Sequence, residues 1–136
     1  MSKATAQFDL KALAGKFPES AETMLVDVRL TDEAAASSRM FRIYHEVPPH
    51  FHATCDEYLL IVSGRGRFIV DGNEPVELGP GELLFFRRNV VHSIPAILEA
   101  PLVIFSVDTP RRDPRDVIFV NPADGTVDNF IRTVTY

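Results

Sequence analysis

From Tyr58 to Phe86, no apolar run lasts long enough to form a helix before a glycine or proline turn interrupts it. Tyr58-Leu59-Leu60-Ile61-Val62-Ser63 is followed by Gly64-Arg65-Gly66, and Arg67-Phe68-Ile69-Val70 by Asp71-Gly72-Asn73. Pro75-Val76-Glu77-Leu78 is followed by Gly79-Pro80-Gly81, and then comes Glu82-Leu83-Leu84-Phe85-Phe86. Short runs at this spacing predict strands of a β-sandwich or barrel. The first two are expected to pair as a hairpin across Gly64-Arg65-Gly66. Tyr58 to Ser63 is apolar at every other position and between, which predicts a strand covered on both faces.

Outside this stretch, Met24 to Leu30 and Arg39 to His45 alternate well enough for strands, and Val90 to Ile94 and Pro101 to Val107 add two more. Thr31 to Ser38 reads as a loop. Near the start, Phe8, Leu10, Leu13 and Phe17 follow helical spacing until Pro18 stops it, so a short N-terminal helix is expected at the domain edge. No repeat or linker divides the chain, and residues 1–136 are expected to form a single domain.

Composition narrows the function classes. A net charge of −5 lacks the clustered Lys and Arg that phosphate neutralisation needs, so no nucleic-acid partner is expected. Cys55 is the only cysteine, which excludes an intramolecular disulfide and a cysteine-rich zinc module. No apolar run approaches the roughly 20 residues of a spanning helix, so no membrane partner and a cytoplasmic location are expected.

The chemistry-bearing stretch is His50-Phe51-His52-Ala53-Thr54-Cys55-Asp56-Glu57, entered through Pro48-Pro49, which forces an extended approach. In a strand the two imidazoles share a face and can reach one ion. Taken alone, the pair would better suit a polar loop facing water. Glu57 follows a short connection, and His92 lies on a later short strand. Together His50, His52, Glu57 and His92 offer three imidazole nitrogens and a carboxylate oxygen. That set suits a divalent transition metal, whether Fe, Mn, Ni, Zn or Cu, with positions left for water or substrate.

At these residues the sequence resembles the cupin superfamily, specifically its small single-domain members. The family's first motif is Gly, five residues, His-x-His, three or four residues, Glu, six residues, Gly. His50, His52, Glu57 and Gly64 fall in place, while Tyr44 stands at the first glycine. The second motif is Gly, five residues, Pro-x-Gly, two residues, His, three residues, Asn. Gly81 and His92 match it; Arg87, Asn89 and Ala96 depart from it, although Asn89 can adopt the left-handed backbone a glycine would serve. The resemblance covers roughly Arg39 to Asp108. It implies a double-stranded β-helix, or jelly-roll cupin barrel, with a metal inside held by His50, His52, Glu57 and His92.

Among other candidates, His45 is expected at the core or surface rather than in the pocket, and Cys55 as inert packing. Asp56 is expected to be solvated, and Tyr44, Phe68, Phe86 and Phe105 to be core aromatics before pocket walls. Arg111, Arg112 and Arg115 form either an anion-binding patch or, with Asp108, Asp113 and Asp116 interleaved, a self-compensated solvated loop; the second is expected. The resemblance places dioxygenases, isomerases and decarboxylases within reach, acting on a small molecule. A non-catalytic ligand-binding or sensor barrel is the alternative, and strands apolar on both faces leave room for a homodimer.

Overall fold

The computed structural model describes residues 4–136, and among them strands dominate. In chain order they are β1 (Leu25–Asp32), β2 (Ser37–Ile43), β3 (Val47–Phe51), β4 (Asp56–Val70), β5 (Val76–Leu78), β6 (Leu83–Phe86), β7 (His92–Thr109), β8 (Ile118–Phe119) and β9 (Ile131–Val134). The helices are short: α1 (Leu10–Ala14) and α2 (Val127–Phe130). All nine strands join one folded sheet, in the order β5-β4-β7-β2-β1-β9, with β6 on β4, and β3 on β7 and β8. The fold is an all-β double-stranded β-helix with a small N-terminal helix.

Alternation along the strands builds two cores. Leu25, Phe41, Ile43, Leu59, Ile61 and Ile104 point into the barrel with Phe68, Phe86, Phe119 and Phe130. The residues between them, Val26, Val28, Met40 and Val103, point outward and are covered by Phe17 with Leu10 and Leu13 of the N-terminal segment. The α1 helix starts where the Asp9 carboxylate accepts from the Ala12 amide at 3.0 Å, and it ends at Gly15. It packs over the outer face of β2 and β4.

Three sequence expectations change. Gly64-Arg65-Gly66 does not turn the chain: β4 runs through it, and both halves of β4 pair with β7, Tyr58–Ile61 against Val107–Ile104 and Arg67–Val70 against Ala96–His92. The two β7 segments, expected as separate strands, are likewise continuous. The glycines serve a close approach instead. Gly64 has φ +77°, and a Cβ there would be driven into the carbonyl oxygens of Pro101 and Glu99. Register shifts at Ser63, Arg65 and Gly66 let both long strands bend from one side of the barrel to the other. Gly64→Ala is accordingly expected to cost about 2–3 kcal/mol, read as a lower urea midpoint with an unchanged slope.

The second change is at Tyr58–Ser63, which is fully covered on one face and only in part on the other, where Val62 packs into the outer core. Glu57, Leu59 and Ile61 are buried, whereas Tyr58 is 41% exposed and lies with Phe85 on the outer surface. The third is the loop expected over residues 31–38, which β1 and β2 narrow to Glu33–Ala36. No helix among the described residues is long and apolar enough to cross a membrane.

Candidate metal centre

Strand pairing brings the distant histidines together. His50 on β3 and His92, the first residue of β7, are direct antiparallel partners, and His92 also faces Val70 of β4. His52 lies just past the end of β3. The three imidazoles are buried, and each offers a ligand atom within 4.8 Å of the others. Ring centroids stand 4.2 Å apart for His50–His92, 5.1 Å for His52–His92 and 5.3 Å for His50–His52.

Each ring is turned by its other nitrogen. Nδ1 of His50 lies 2.9 Å from the Pro48 carbonyl oxygen, that of His52 2.6 Å from the Asp116 carbonyl, and that of His92 3.0 Å from the Val90 carbonyl. A carbonyl only accepts, so Nδ1 carries the proton and donates, leaving Nε2 with a free lone pair. Burial, with His92 and His52 nearby, holds the His50 imidazole well below its ordinary pKa. Burial and His52 push His92 down to about 3. Both are therefore neutral near pH 7, the state in which imidazole ligates metal.

Glu57, at the start of β4, has its two oxygens divided. Oε2 accepts from Arg39 at 3.0 Å and from the Ser106 hydroxyl at 2.9 Å. Oε1 faces the imidazoles, 3.5 Å from His52 Nε2 and 3.9 Å from His92 Nε2. The cluster of mutually close donor atoms is the three histidines alone; Glu57, expected as the fourth ligand, stands beside two of them and outside that cluster. Burial opposes ionisation of Glu57, but the positive charge around it, the Arg39 guanidinium included, outweighs burial and holds the carboxyl well below the usual range. Neutral nitrogens and one ionised carboxylate converging on a buried point fit a divalent transition ion, and no lysine among the described residues lines the site.

Further residues support this set, and sequence reasoning had not assigned them to it. Arg39 is 3% exposed, and beyond Glu57 it faces Asp27 at 3.7 Å and Asp108 at 3.6 Å. The Asp116 side chain accepts from the Ala53 and Thr54 amides and from the Thr54 hydroxyl while its own carbonyl holds His52. It thus fixes the loop that carries the second histidine. Asp116→Ala is expected to weaken metal binding by about 10–100-fold, the usual scale for partners behind the ligands. Competition with a chromogenic chelator would measure this, and an unchanged affinity would refute it.

The remaining candidates separate. His45 is exposed and contacts the Ala21 carbonyl at 2.7 Å, because β2 ends at Ile43 before strand parity could turn it inward. Cys55 is buried beside Asp108, and burial pushes its thiol up to about 12, leaving it unreactive. Asp56, expected to be solvated, instead pairs with Arg88 at 3.1 Å. Of the four aromatics, Phe86 reaches the site, 3.9 Å from the His92 ring, and Phe68 is core. Tyr44 bonds Pro18 on the outer side, and Phe105 lines an outer groove. The arginine loop is only partly self-compensated: Arg111 pairs with Asp32 at 2.6 Å, but Arg112 is buried, 2% exposed.

The cavity against the histidines is lined by Arg39, Phe41, Val47, Leu59, Ile94 and Phe130, among others. It offers only about 20 Å³ to the centres of water-sized molecules, about the room for one water. Phe130 of the C-terminal segment lines it, 5.2 Å from the His50 ring, and Phe119 packs on the same histidine at 5.6 Å.

A family model described as Cupin domain matches residues 42–108. No curated protein matches the sequence. Among solved structures, the chain is similar to KdgF from Halomonas sp., at 18% identity and TM-score 0.60 over 66% of this chain and 82% of that one. It is similar to an RmlC-like cupin family protein from Methanocaldococcus jannaschii, at 21% identity and TM-score 0.57, over 71% and 88% respectively. It also resembles the DMSP lyase DddQ from Ruegeria pomeroyi DSS-3, at 20% identity and TM-score 0.57, over 66% of this chain but only 45% of that protein. At these identities the likeness is one of fold.

Proposed function

This chain is a small protein of the cupin superfamily, and on that footing we propose that it is a metal-dependent enzyme acting on a small organic molecule, in the manner of a dioxygenase or isomerase. His50, His52, His92 and Glu57 would hold one divalent transition ion. The observation that carries the reading is the set of three Nδ1–carbonyl contacts, which leave all three Nε2 atoms free for one ion. A bound ion would supply Lewis acidity and open coordination positions for oxygen or substrate. The chain's own residues do the rest: Arg39 and Ser106 keep Glu57 ionised and oriented, while Phe119, Phe130 and Phe86 exclude bulk water.

One observation favours a second reading. A cavity with room for about one water suits a non-catalytic barrel in which the ion captures a ligand or braces the fold. Elemental analysis of protein purified without added metal, followed by titration with Fe(II), Mn(II), Ni(II), Zn(II) and Cu(II), tests the shared part. The chain is expected to bind one of these tightly, and binding of none would sink both readings. Oxygen uptake by the Fe(II) form and proton NMR of products, over small phenols, thiols and keto acids, then separates them. Turnover supports the enzyme; binding without turnover supports the second reading.

A further inference from the structure

The Arg112 guanidinium is buried, yet none of its three nitrogens has a hydrogen-bond partner among the described residues. A side chain held in this way has a reason to be conspicuous, because a buried unpaired charge costs several kcal/mol. The backbone of Arg112 is firmly placed: its amide donates to the Ser37 hydroxyl at 3.1 Å, and its carbonyl accepts from Arg29 at 3.3 Å. The charged head therefore sits where it does by construction. Its guanidinium carbon lies 5.9 Å from the centroid of the Phe130 ring, and that ring lines the histidine cavity. Arg112 is thus one side chain away from the candidate metal centre.

The buried charges point the same way. The fully buried ionisable groups other than histidine and cysteine are Asp27, Glu57 and Asp108 against Arg39 and Arg112. Burial and Glu57 push the Asp108 carboxyl up to about 7, so three carboxylates against two guanidiniums leave at most one negative charge. A divalent ion held at the histidines would overturn that balance and leave at least one positive charge. Water could accept hydrogen bonds from Arg112, but only an anion also answers the charge.

We propose that Arg112 recognises the carboxylate of a small organic acid that enters the cavity, with rotation of the Phe130 ring joining the guanidinium to the metal-facing space. This deepens the metal-centre reading and rests on it for the position of the ligand's other end. A carboxylate is favoured over phosphate because it is flat and small: it pairs bidentately with a guanidinium fork, and the only space to be opened is that of an aromatic ring. Phe130 ends α2, a single turn followed directly by β9, and its ring touches both the Arg112 guanidinium and the histidine cavity.

Calorimetric titration of the full chain with pyruvate, oxalate, acetate and inorganic phosphate tests this, in both Zn(II)-loaded and chelator-treated protein. Pyruvate or oxalate is expected to bind the loaded wild type. Arg112→Met should weaken that binding at least tenfold with metal content unchanged, and Arg112→Lys should recover part of it. If loaded wild type binds none of the carboxylates, if phosphate binds more tightly than all of them, or if Arg112→Met binds equally well, the inference is overturned. Failure of the chain to hold metal would defeat the metal reading instead. Arg112-dependent carboxylate binding to the chelated protein would then still uphold the guanidinium's role. Should Arg112→Met not fold, thermal shifts of wild type with acetate and with acetamide decide the matter. Stabilisation by acetate alone supports the inference, and equal shifts or none reject it.

Discussion

Replacing His92 by alanine is expected to take the protein from a stoichiometric metal complex to one that carries almost no metal after dialysis. The ring supplies one of three clustered imidazoles and is the only one contributed by β7. Losing it leaves His50 without its cross-strand partner and Glu57 facing one imidazole rather than two. Residues that merely orient ligands are worth about 10–100-fold in affinity, so a ligand itself should be worth more than about 100-fold. Elemental analysis and chelator competition read the loss, while circular dichroism should report an intact barrel, because the pairing of β4 with β7 runs far beyond this residue. Asp56→Asn is the control. Its pair with Arg88 lies at the surface beside the site, and metal content should not move. Retention of full metal occupancy by His92→Ala would remove His92 from the ligand set.

Arg39→Met is expected to produce the largest loss of stability of any single change to a charged residue. The Arg39 side chain is 4% exposed and faces three carboxylates: Glu57 at 3.0 Å, Asp108 at 3.6 Å and Asp27 at 3.7 Å. Burial alone would favour its neutral form, but Asp108, Glu57 and Asp27 raise its pKa above the ordinary arginine value. Methionine keeps most of the packing against Phe41, over whose ring the guanidinium lies at 4.7 Å, and deletes only the charge. Leaving buried carboxylates without their cation costs about 3–5 kcal/mol. Urea unfolding of the metal-free protein at pH 7 should show this, and the deficit should shrink as acid protonates the orphaned carboxyls. A change below about 1 kcal/mol would mean the carboxylates are solvated or otherwise paired, since exposed pairs contribute that little.

The fold and the centre of the site were legible in the sequence to different depths. His50-x-His52 could be read because both rings sit on one short extended segment, and their spacing encodes a shared face without knowledge of the partner strand. Asn89 was read in the same local way, and the structure gives it φ +67°, the left-handed backbone anticipated there. Gly64 was recognised as a motif residue but mistaken for a turn. A glycine that lets two backbones approach and a glycine that reverses the chain look alike in one strand, and only the register with β7 distinguishes them. Arg39 was within reach: it shares strand parity with Phe41 and Ile43, both buried in the barrel. Its charge argued for the surface, and the carboxylates that reverse this come from β1, β4 and β7. Arg112, Phe119 and Phe130 were the least visible. They lie in a polar, proline-broken tail with no periodicity, and it is the pairing of β8 with β3 and of β9 with β1 that carries the tail back over His50.

The contacts between each imidazole Nδ1 and a main-chain carbonyl also bear on when the donor set becomes ordered. Two of those carbonyls, on Pro48 and Val90, lie two residues from their own histidines, and the third belongs to the loop locked by Asp116. The rings are therefore oriented by folding itself, and an arriving ion meets a rigid socket rather than a chain it must organise. Discrimination among ions then falls to size and preferred geometry, because the protein has little freedom to remodel around a poor fit. In the same way, the barrel would stand without an ion, so that loading and unloading would be reversible events on a finished scaffold rather than steps in its assembly.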